Sequence, residues 1–430
     1  MNEDPRPATP ITRVVLASFI GTSIEWYDFF LYGTAAALVF NRLFFPTLDP
    51  LAGTMASFAT YAVGFFARPL GGIVFGHYGD KLGRKSMLVT TLLMMGLSTF
   101  LIGALPTYEQ IGVLAPVALA ALRLVQGLGV GGEWGGAVLL VVEHGHHRRR
   151  GIYASSAQAG VPAGLLLANG TFAAASALPE GPFLSWGWRV PFLAGAVLLG
   201  LGLFIRLHIL ETPLFAQAQA QGGTSPRPLV DLVRHYPRNL LLAMGARFAE
   251  NACFYVFTVF IYVYASESRG FARQTILVGV VVASALQLVS IPAFAALSDR
   301  LGRRPVYLAG ALFLGLFAFP FFWLVDSGVP VLIWLALVLG LTGVAAMYGP
   351  QAAFFSELFG TSVRYSGASL GSQLAAPLAG GLAPLIATAL LGWSGGQPWP
   401  VALYMIGMVL ITFTSVFLAV ETVQSDLSSG

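Results

Sequence analysis

The sequence predicts an all-α membrane protein of twelve transmembrane helices in two six-helix bundles, and three observations lead there. Of 430 residues, 56% are hydrophobic and only 10% are charged, where a soluble domain carries about 25% charged residues. Apolar runs of about 20 residues, long enough for a hydrocarbon core about 30 Å thick, recur along the whole chain. Two sets of charged loops also repeat at nearly one interval. A barrel is excluded because the runs are continuous rather than alternating ten-residue strands. The first run is too long for a cleaved leader and has no small-residue cleavage site.

In order, the spans are expected at 14–40, 53–75, 86–105, 112–142, 152–177 and 190–209, then at 240–265, 275–297, 306–324, 330–355, 366–391 and 400–420. Sixteen of the 23 Lys and Arg fall at the N-terminus or in even-numbered connections, against four on the other side: Arg42, Arg189, Arg269 and Arg273. The positive-inside rule then puts both termini in the cytoplasm. Residues 1–210 and 239–430 are the two bundles, and 211–238 is a cytoplasmic linker. The net charge of +4 thus follows topology and is no nucleic-acid footprint. A single cysteine, Cys253, allows no internal disulfide.

After the second span comes Asp80-Lys81-Leu82-Gly83-Arg84-Lys85, and after the eighth Asp299-Arg300-Leu301-Gly302-Arg303-Arg304, 219 residues on. Glu143 and Arg150 match Glu357 and Arg364 at an interval of 214. Two pairs at nearly one offset relate the halves in parallel topology. A carboxylate at a helix end beside Arg can hold neighbouring helices together in one conformation and release them in another. Asp80, Arg84, Glu143, Arg150, Asp299, Arg303, Glu357 and Arg364 are therefore the candidate gate.

Acids within spans are expensive and mark ion pathways. Four occur: Glu25, Asp28, Glu133 and Glu250. Glu25 and Asp28 lie about 16 and 21 Å along the first span, near mid-membrane, and their i, i+3 spacing gives them one face. On the fourth span Gly127, Gly131 and Gly135 form a ridge for close helix contact. Gln126 and Glu133 lie nearly opposite, with Arg123 between the two faces. Arg123 can pair with a carboxylate or receive an anion, and it is expected to pair with Asp28 or Glu25 between turnovers. Glu25, Asp28, Arg123 and Glu133 are the candidates for proton coupling. On the seventh span Arg247, Glu250 and Asn251 form a polar ledge, followed by an aromatic wall with Tyr255. With Tyr32, Arg123, Gln126, Trp134, Gln158 and Gln373, these are the candidate substrate contacts.

The six histidines (His77, His144, His146, His147, His208 and His235) all fall at helix ends or in loops, so a proton carrier at mid-membrane must be a carboxyl. The cluster His144 to His147, beside three arginines, is not read as a metal site, and no cofactor is expected. Gly367-Ala368-Ser369-Leu370-Gly371 has the spacing of a hydrolase nucleophile, but no histidine shares its depth, and no enzyme is expected.

The two Asp-led loops resemble the signature of the major facilitator superfamily. Glu25-Trp26-Tyr27-Asp28-Phe29, Arg68-Pro69-Leu70-Gly71-Gly72, Arg123-Leu124-Val125-Gln126-Gly127 and Gly131-Gly132-Glu133-Trp134-Gly135 resemble its metabolite:proton symporter family. The resemblance implies two bundles rocking about a central site, driven by proton entry, in a bacterial cytoplasmic membrane. Residues 38–46, Phe75-Gly76-His77 and Arg364-Tyr365-Ser366-Gly367-Ala368 are most similar to the shikimate-type branch. This implies an organic anion as cargo, first a hydroxylated cyclic carboxylate such as shikimate. The seventh span, Arg247-Phe248-Ala249-Glu250-Asn251, departs from that branch. A dicarboxylate such as 2-oxoglutarate or citrate, an aromatic acid, or a zwitterion such as proline or betaine therefore stays open. The partners expected are cargo, protons and the lipid bilayer, and the chain is expected to act as a monomer.

Overall fold

The computed structural model describes residues 11–82, 84–131, 149–208, 228–359 and 364–423, and every regular element among them is helical. The first half runs α1 (Ile11–Ala35), α2 (Pro50–Leu82), α3 (Arg84–Ala104), α4 (Leu114–Gly131), α5 (Arg150–Ala175) and α6 (Arg189–His208). The second runs α7 (Pro237–Tyr255), α8 (Arg273–Leu301), α9 (Arg303–Asp326), α10 (Pro330–Glu357), α11 (Arg364–Ala375, resumed as Ala383–Trp393) and α12 (Trp399–Leu418). The residues of α4 beyond Gly131 lie outside the described residues, as does most of the expected linker. The described end of that linker forms a short helix, Pro228–His235, with Leu232 buried.

The apolar runs decide where helices form, and the polar residues decide which of them face inward. Among the described residues eight helices are each long and apolar enough to cross a membrane, or nine if the bent pair around Trp188 counts as one span. Neither α1 nor α5 is among them. The first carries Glu25 and Asp28, and the second Ser155, Gln158 and Asn169, all buried. Large apolar side chains such as Leu70, Leu97, Val197, Leu316 and Leu410 point outward instead. With no hydrophobic driving force between helices in lipid, small residues and polar contacts must join them. A Cβ on Gly127 would meet the Gly64 carbonyl oxygen at 2.0 Å, and one on Gly131 the Arg68 carbonyl oxygen at 1.9 Å. So α2 and α4 touch backbone to backbone.

The repeat is visible in the packing. Helix α1 packs on α5 as α7 packs on α11, α2 on α4 as α8 on α10, and α3 on α6 as α9 on α12. The halves meet through α5 against α8 and α2 against α11, again a matched pair. A wider π-helical turn follows α1 at Ala36–Phe40 and recurs after α7 at Val256–Phe260.

Candidate functional site

Between the halves lies a small cavity of about 10 Å³, about enough for one water. Its walls include Trp26 from α1, Val161 and Pro162 from α5, Arg247, Glu250 and Asn251 from α7, Gln287 from α8 and Tyr348 from α10, with Phe254 and Tyr255 beside them. Contacts join the halves at each end. At the end bearing the gate loops, Arg303 bridges Asp299 at 2.7 Å and Glu357 at 3.2 Å. Asp299 then reaches across the halves, accepting the backbone N–H groups of Gly151 at 2.9 Å and Ile152 at 3.2 Å. These open the first turn of α5, where unpaired N–H groups and the helix dipole favour an anion. Arg150 lies near Glu357 in the same cluster. Glu421, after α12, accepts the N–H groups of Arg303 and Arg304 at 2.8 and 3.0 Å. Gly302 makes that turn with φ +103°, and a Cβ there would stand 2.8 Å from the Glu421 carboxylate. At the other end Asn169 Oδ1 accepts from Thr34 at 3.0 Å and from Tyr262 at 2.5 Å, joining α1, α5 and α7.

Three arginines surround the cavity, each buried to 4% exposure or less. Arg247, in the wall, donates to Gln351 at 2.5 Å and stands 3.8 Å from Glu250. Gln351 donates in turn to Tyr307 at 2.8 Å, so α7, α9 and α10 share one polar network. Arg123 and Arg68 sit one ring behind the wall. Arg123 donates to Gln126 at 3.1 Å and lies over Phe29, Tyr32 and Tyr61 at 4.1 to 4.7 Å. Arg68 lies over the other side of the same cluster, 4.1 Å from Phe29 and 4.4 Å from Phe65. On each of these two guanidiniums, Nε and one Nη have no hydrogen-bond partner among the described residues. Tyr255 of the second half enters this aromatic box, 5.3 Å from Phe65 and 6.0 Å from Tyr61.

The expected pairing of Arg123 with Asp28 or Glu25 is not formed in this structure. Arg123 turns to Gln126 and the rings, and among the described residues it has no ion pair with either acid. The cause lies in the rotation of α1. Asp28 faces away from the cavity toward α3 and α6: a Cβ on Gly195 would touch both Thr99, at 3.2 Å, and Asp28 Oδ1, at 3.4 Å. Among the described residues Asp28 Oδ1 makes no hydrogen bond. Glu25 instead has Arg68 and Tyr348 among its charged and polar neighbours, so the two acids part. A polar chain still runs from Arg123 through Gln126 to Thr99, with Gln126 donating to the Thr99 hydroxyl at 2.7 Å.

Of the expected substrate contacts, Arg247, Glu250, Asn251 and Tyr255 line the cavity, while Arg123 and Gln126 stand behind it. Tyr32 donates to Thr60 at 2.7 Å inside the first half. Gln158 donates to the Tyr348 carbonyl at 3.2 Å, tying α5 to α10, and Gln373 is buried in α11. Glu133, Trp134 and Glu143 lie outside the described residues, as do the side chains of Asp80, Arg84 and Arg364. Sequence reasoning missed Arg68, Trp26, Gln287, Tyr348 and Gln351 as site residues. Arg68 carried the signal that marked Arg123, a cation inside a span.

Comparison with known proteins bears on the family and the fold. The Major Facilitator Superfamily pattern matches residues 18–372 and, again, 280–429. The shikimate transporter of Escherichia coli is 42% identical over 405 residues, covering 93% of this chain and 92% of that one. The inner membrane metabolite transport protein YhjE of the same organism is 41% identical, covering 97% of each. The proline/betaine transporter of E. coli is 34% identical, covering 98% of this chain and 85% of that one. Among solved structures, a D-xylose-proton symporter superposes with a TM-score of 0.74 at 16% identity, covering 97% of this chain and 100% of that one, which bears out the fold. The chain belongs to the major facilitator superfamily: it is a multi-pass membrane transporter, similar to the shikimate-transporter branch, and not an enzyme.

Proposed function

We propose that the chain is a proton-coupled importer of a small organic acid, first shikimate or a related hydroxylated cyclic carboxylate, working by alternating access in a bacterial inner membrane. The observation that carries this reading is Arg247 in the cavity wall, held by Gln351 and Glu250. A buried guanidinium with fork geometry suits a carboxylate bidentately, while Gln287, Asn251 and Tyr348 offer partners for ring hydroxyls. The kinship with a shikimate transporter supports the same cargo. Residues 1–210 and 239–430 are the rocking bodies, 211–238 joins them, and both termini face the cytoplasm. One chain suffices, with the cavity between its halves.

In the cycle, the outer seal at Asn169 opens first and admits the acid. The carboxylate takes over Arg247 from Gln351, and the rings of Trp26, Phe254 and Tyr255 close over its apolar face. A buried carboxyl with a free oxygen, as in Asp28, can hold and release a proton. The chain Thr99, Gln126 and Arg123 links it to the aromatic box, where Tyr255 of the other half inserts. Glu25 beside Arg68 is the second coupling group, and Glu133 the third. Release of Asp299 and Arg303 from α5 then opens the inner end, with Asp80, Arg84, Glu143, Arg150, Glu357 and Arg364 acting in the same gate.

A second reading, a zwitterion such as proline or betaine, is favoured by Glu250 beside four aromatic rings, which can hold an ammonium group. One experiment separates these readings. Purified protein in liposomes with an acidic exterior takes up labelled shikimate, with and without a protonophore, against unlabelled dicarboxylates, aromatic acids and betaines. Accumulation that collapses with the protonophore supports symport, and the strongest competitor names the cargo class. Uptake that only equilibrates marks an uncoupled facilitator, and binding without flux marks a sensor.

A further inference from the structure

Four arginines stand at the end opposite the gate, against the charge bias that sends most basic residues the other way. Three have evident partners. Arg42 pairs with Glu180 at 2.6 Å. Arg189 donates to the carbonyls of Gly103 and Leu105 at 2.8 and 2.7 Å. Arg269 pairs with Asp326 at 2.7 Å and donates to Tyr264. Arg273 differs: among the described residues it makes no ion pair and no hydrogen bond, and its guanidinium rests over the Phe183 ring at 4.9 Å.

Arg273 opens onto a cleft of about 240 Å³, whose walls are Ala37, Leu38 and Arg42 from the first half and Ser266, Phe271 and Arg273 from the second. Arg42 and Glu180 are the charged neighbours of Arg273. Two guanidiniums against one carboxylate leave a positive charge uncompensated. The cleft lies at the same end as the seal of Thr34, Asn169 and Tyr262, so it stands at the mouth of the path rather than in the central cavity. Its other walls are Ala37, Leu38 and Phe271 with the Ser266 side chain among them, which suits a small ligand with one charged end and a body that is partly apolar.

We propose that this cleft is an outer anion subsite, which captures a small carboxylate between Arg42 and Arg273 before the seal opens. The proposal rests on the reading of the chain as an organic-acid importer, and it adds a first binding step that bridges the halves. A charge-lined cleft raises the local concentration of an oppositely charged ligand, and salt screens that effect over about 8 to 10 Å. Arg273 is the residue to change, because no partner is left uncompensated when it goes.

Two measurements test it. In liposomes, Arg273→Gln is expected to raise the half-saturation concentration for shikimate about three- to tenfold at low ionic strength, with the maximal rate kept and the salt dependence flattened. Arg273→Lys, which keeps the charge, is expected to keep the salt dependence. Wild-type half-saturation at both ionic strengths in Arg273→Gln overturns the proposal. The second measurement needs no transport. A cysteine placed in the cleft by Phe271→Cys, with Cys253 buried, is expected to react several-fold faster with an anionic than with a cationic thiosulfonate reagent. Shikimate is expected to slow the reaction, and Arg273→Gln to remove the preference. Equal rates for both reagents with Arg273 present overturn the subsite whatever the transport result. A charge preference without carboxylate flux upholds the subsite and removes the importer reading.

Discussion

The two halves hold their buried arginines in opposite ways. In the second half Arg247 is fixed by polar atoms, Gln351 at 2.5 Å and Glu250 at 3.8 Å. In the first, Arg68 and Arg123 are held mostly by ring faces, with Phe29 sandwiched 4.1 Å from each and several N–H donors unfilled. A hydrogen bond fixes direction, whereas a π face attracts a cation without fixing its donors. A preformed polar network suits recognition of one ligand geometry. Cations that rest on rings are free to change partners as helices rotate. The second half is therefore read as the half that recognises cargo, and the first as the half that couples.

The largest expected effect tests the recognising half. Arg247→Ala leaves Glu250 buried without its cation, and breaking such a pair costs about 3–5 kcal/mol. Uptake is expected to fall at least about 100-fold, with a lower melting temperature, and Arg247→Lys to recover only a small part because the fork is lost. Uptake within twofold of wild type in Arg247→Ala would break the comparison.

Next comes the coupling half. Asp28→Asn is expected to abolish accumulation against a gradient while counterflow exchange of labelled for unlabelled cargo persists, since Asp28 faces α3 and α6 and not the cavity. Loss of both activities together would return Asp28 to the binding site. Phe29→Leu sharpens the point. It keeps an apolar side chain but removes two cation–π contacts, each worth about 0.5–2 kcal/mol. About a tenfold loss of proton-driven uptake is expected, with cargo affinity within about threefold and Phe29→Tyr close to wild type. A change in affinity alone would show that the sandwich serves recognition.

The smallest effect concerns the contact that belongs to neither half alone. Asp299→Asn removes the charge that bridges Arg303 and the first turn of α5. Charge-assisted bonds contribute about 1.5–3 kcal/mol each, but Glu357 still holds Arg303. A three- to tenfold rise in labelling of a cysteine at Ala295 beneath this gate is therefore expected, with uptake changed less. Unchanged labelling would assign the closure of that end to other contacts.

Much of the fold was legible because lipid imposes it: continuous apolar runs can only be helices, and Asp80 and Asp299 betray the repeat. Arg123, Arg247 and Glu250 were legible for the same reason, since a charge within a span has to find company. The company itself was not. Phe29, Phe65 and Tyr255 come from three helices, and an aromatic residue in a membrane span is background until the helices are assembled. The parting of Glu25 and Asp28 was equally hidden, because residues three apart share a face broadly, but packing of α1 against α3, α5 and α6 decides which neighbour each meets. Tyr32 and Gln158, expected as substrate contacts, bond to Thr60 and to the Tyr348 carbonyl in this structure, partners that depend on rotation about their helix axes.

The glycine contacts between α2 and α4 carry a mechanical implication. Where the Gly127 and Gly131 positions meet the backbone of α2 with no room for a single added carbon, a shift of one helix along the other meets backbone rather than a yielding side chain. Arg68 and Arg123, one on each, then keep a fixed gauge, like wheels on one axle. In the alternating-access cycle proposed above, α1 and Tyr255 change position around that pair, and two cations at constant spacing serve as the ruler for the change.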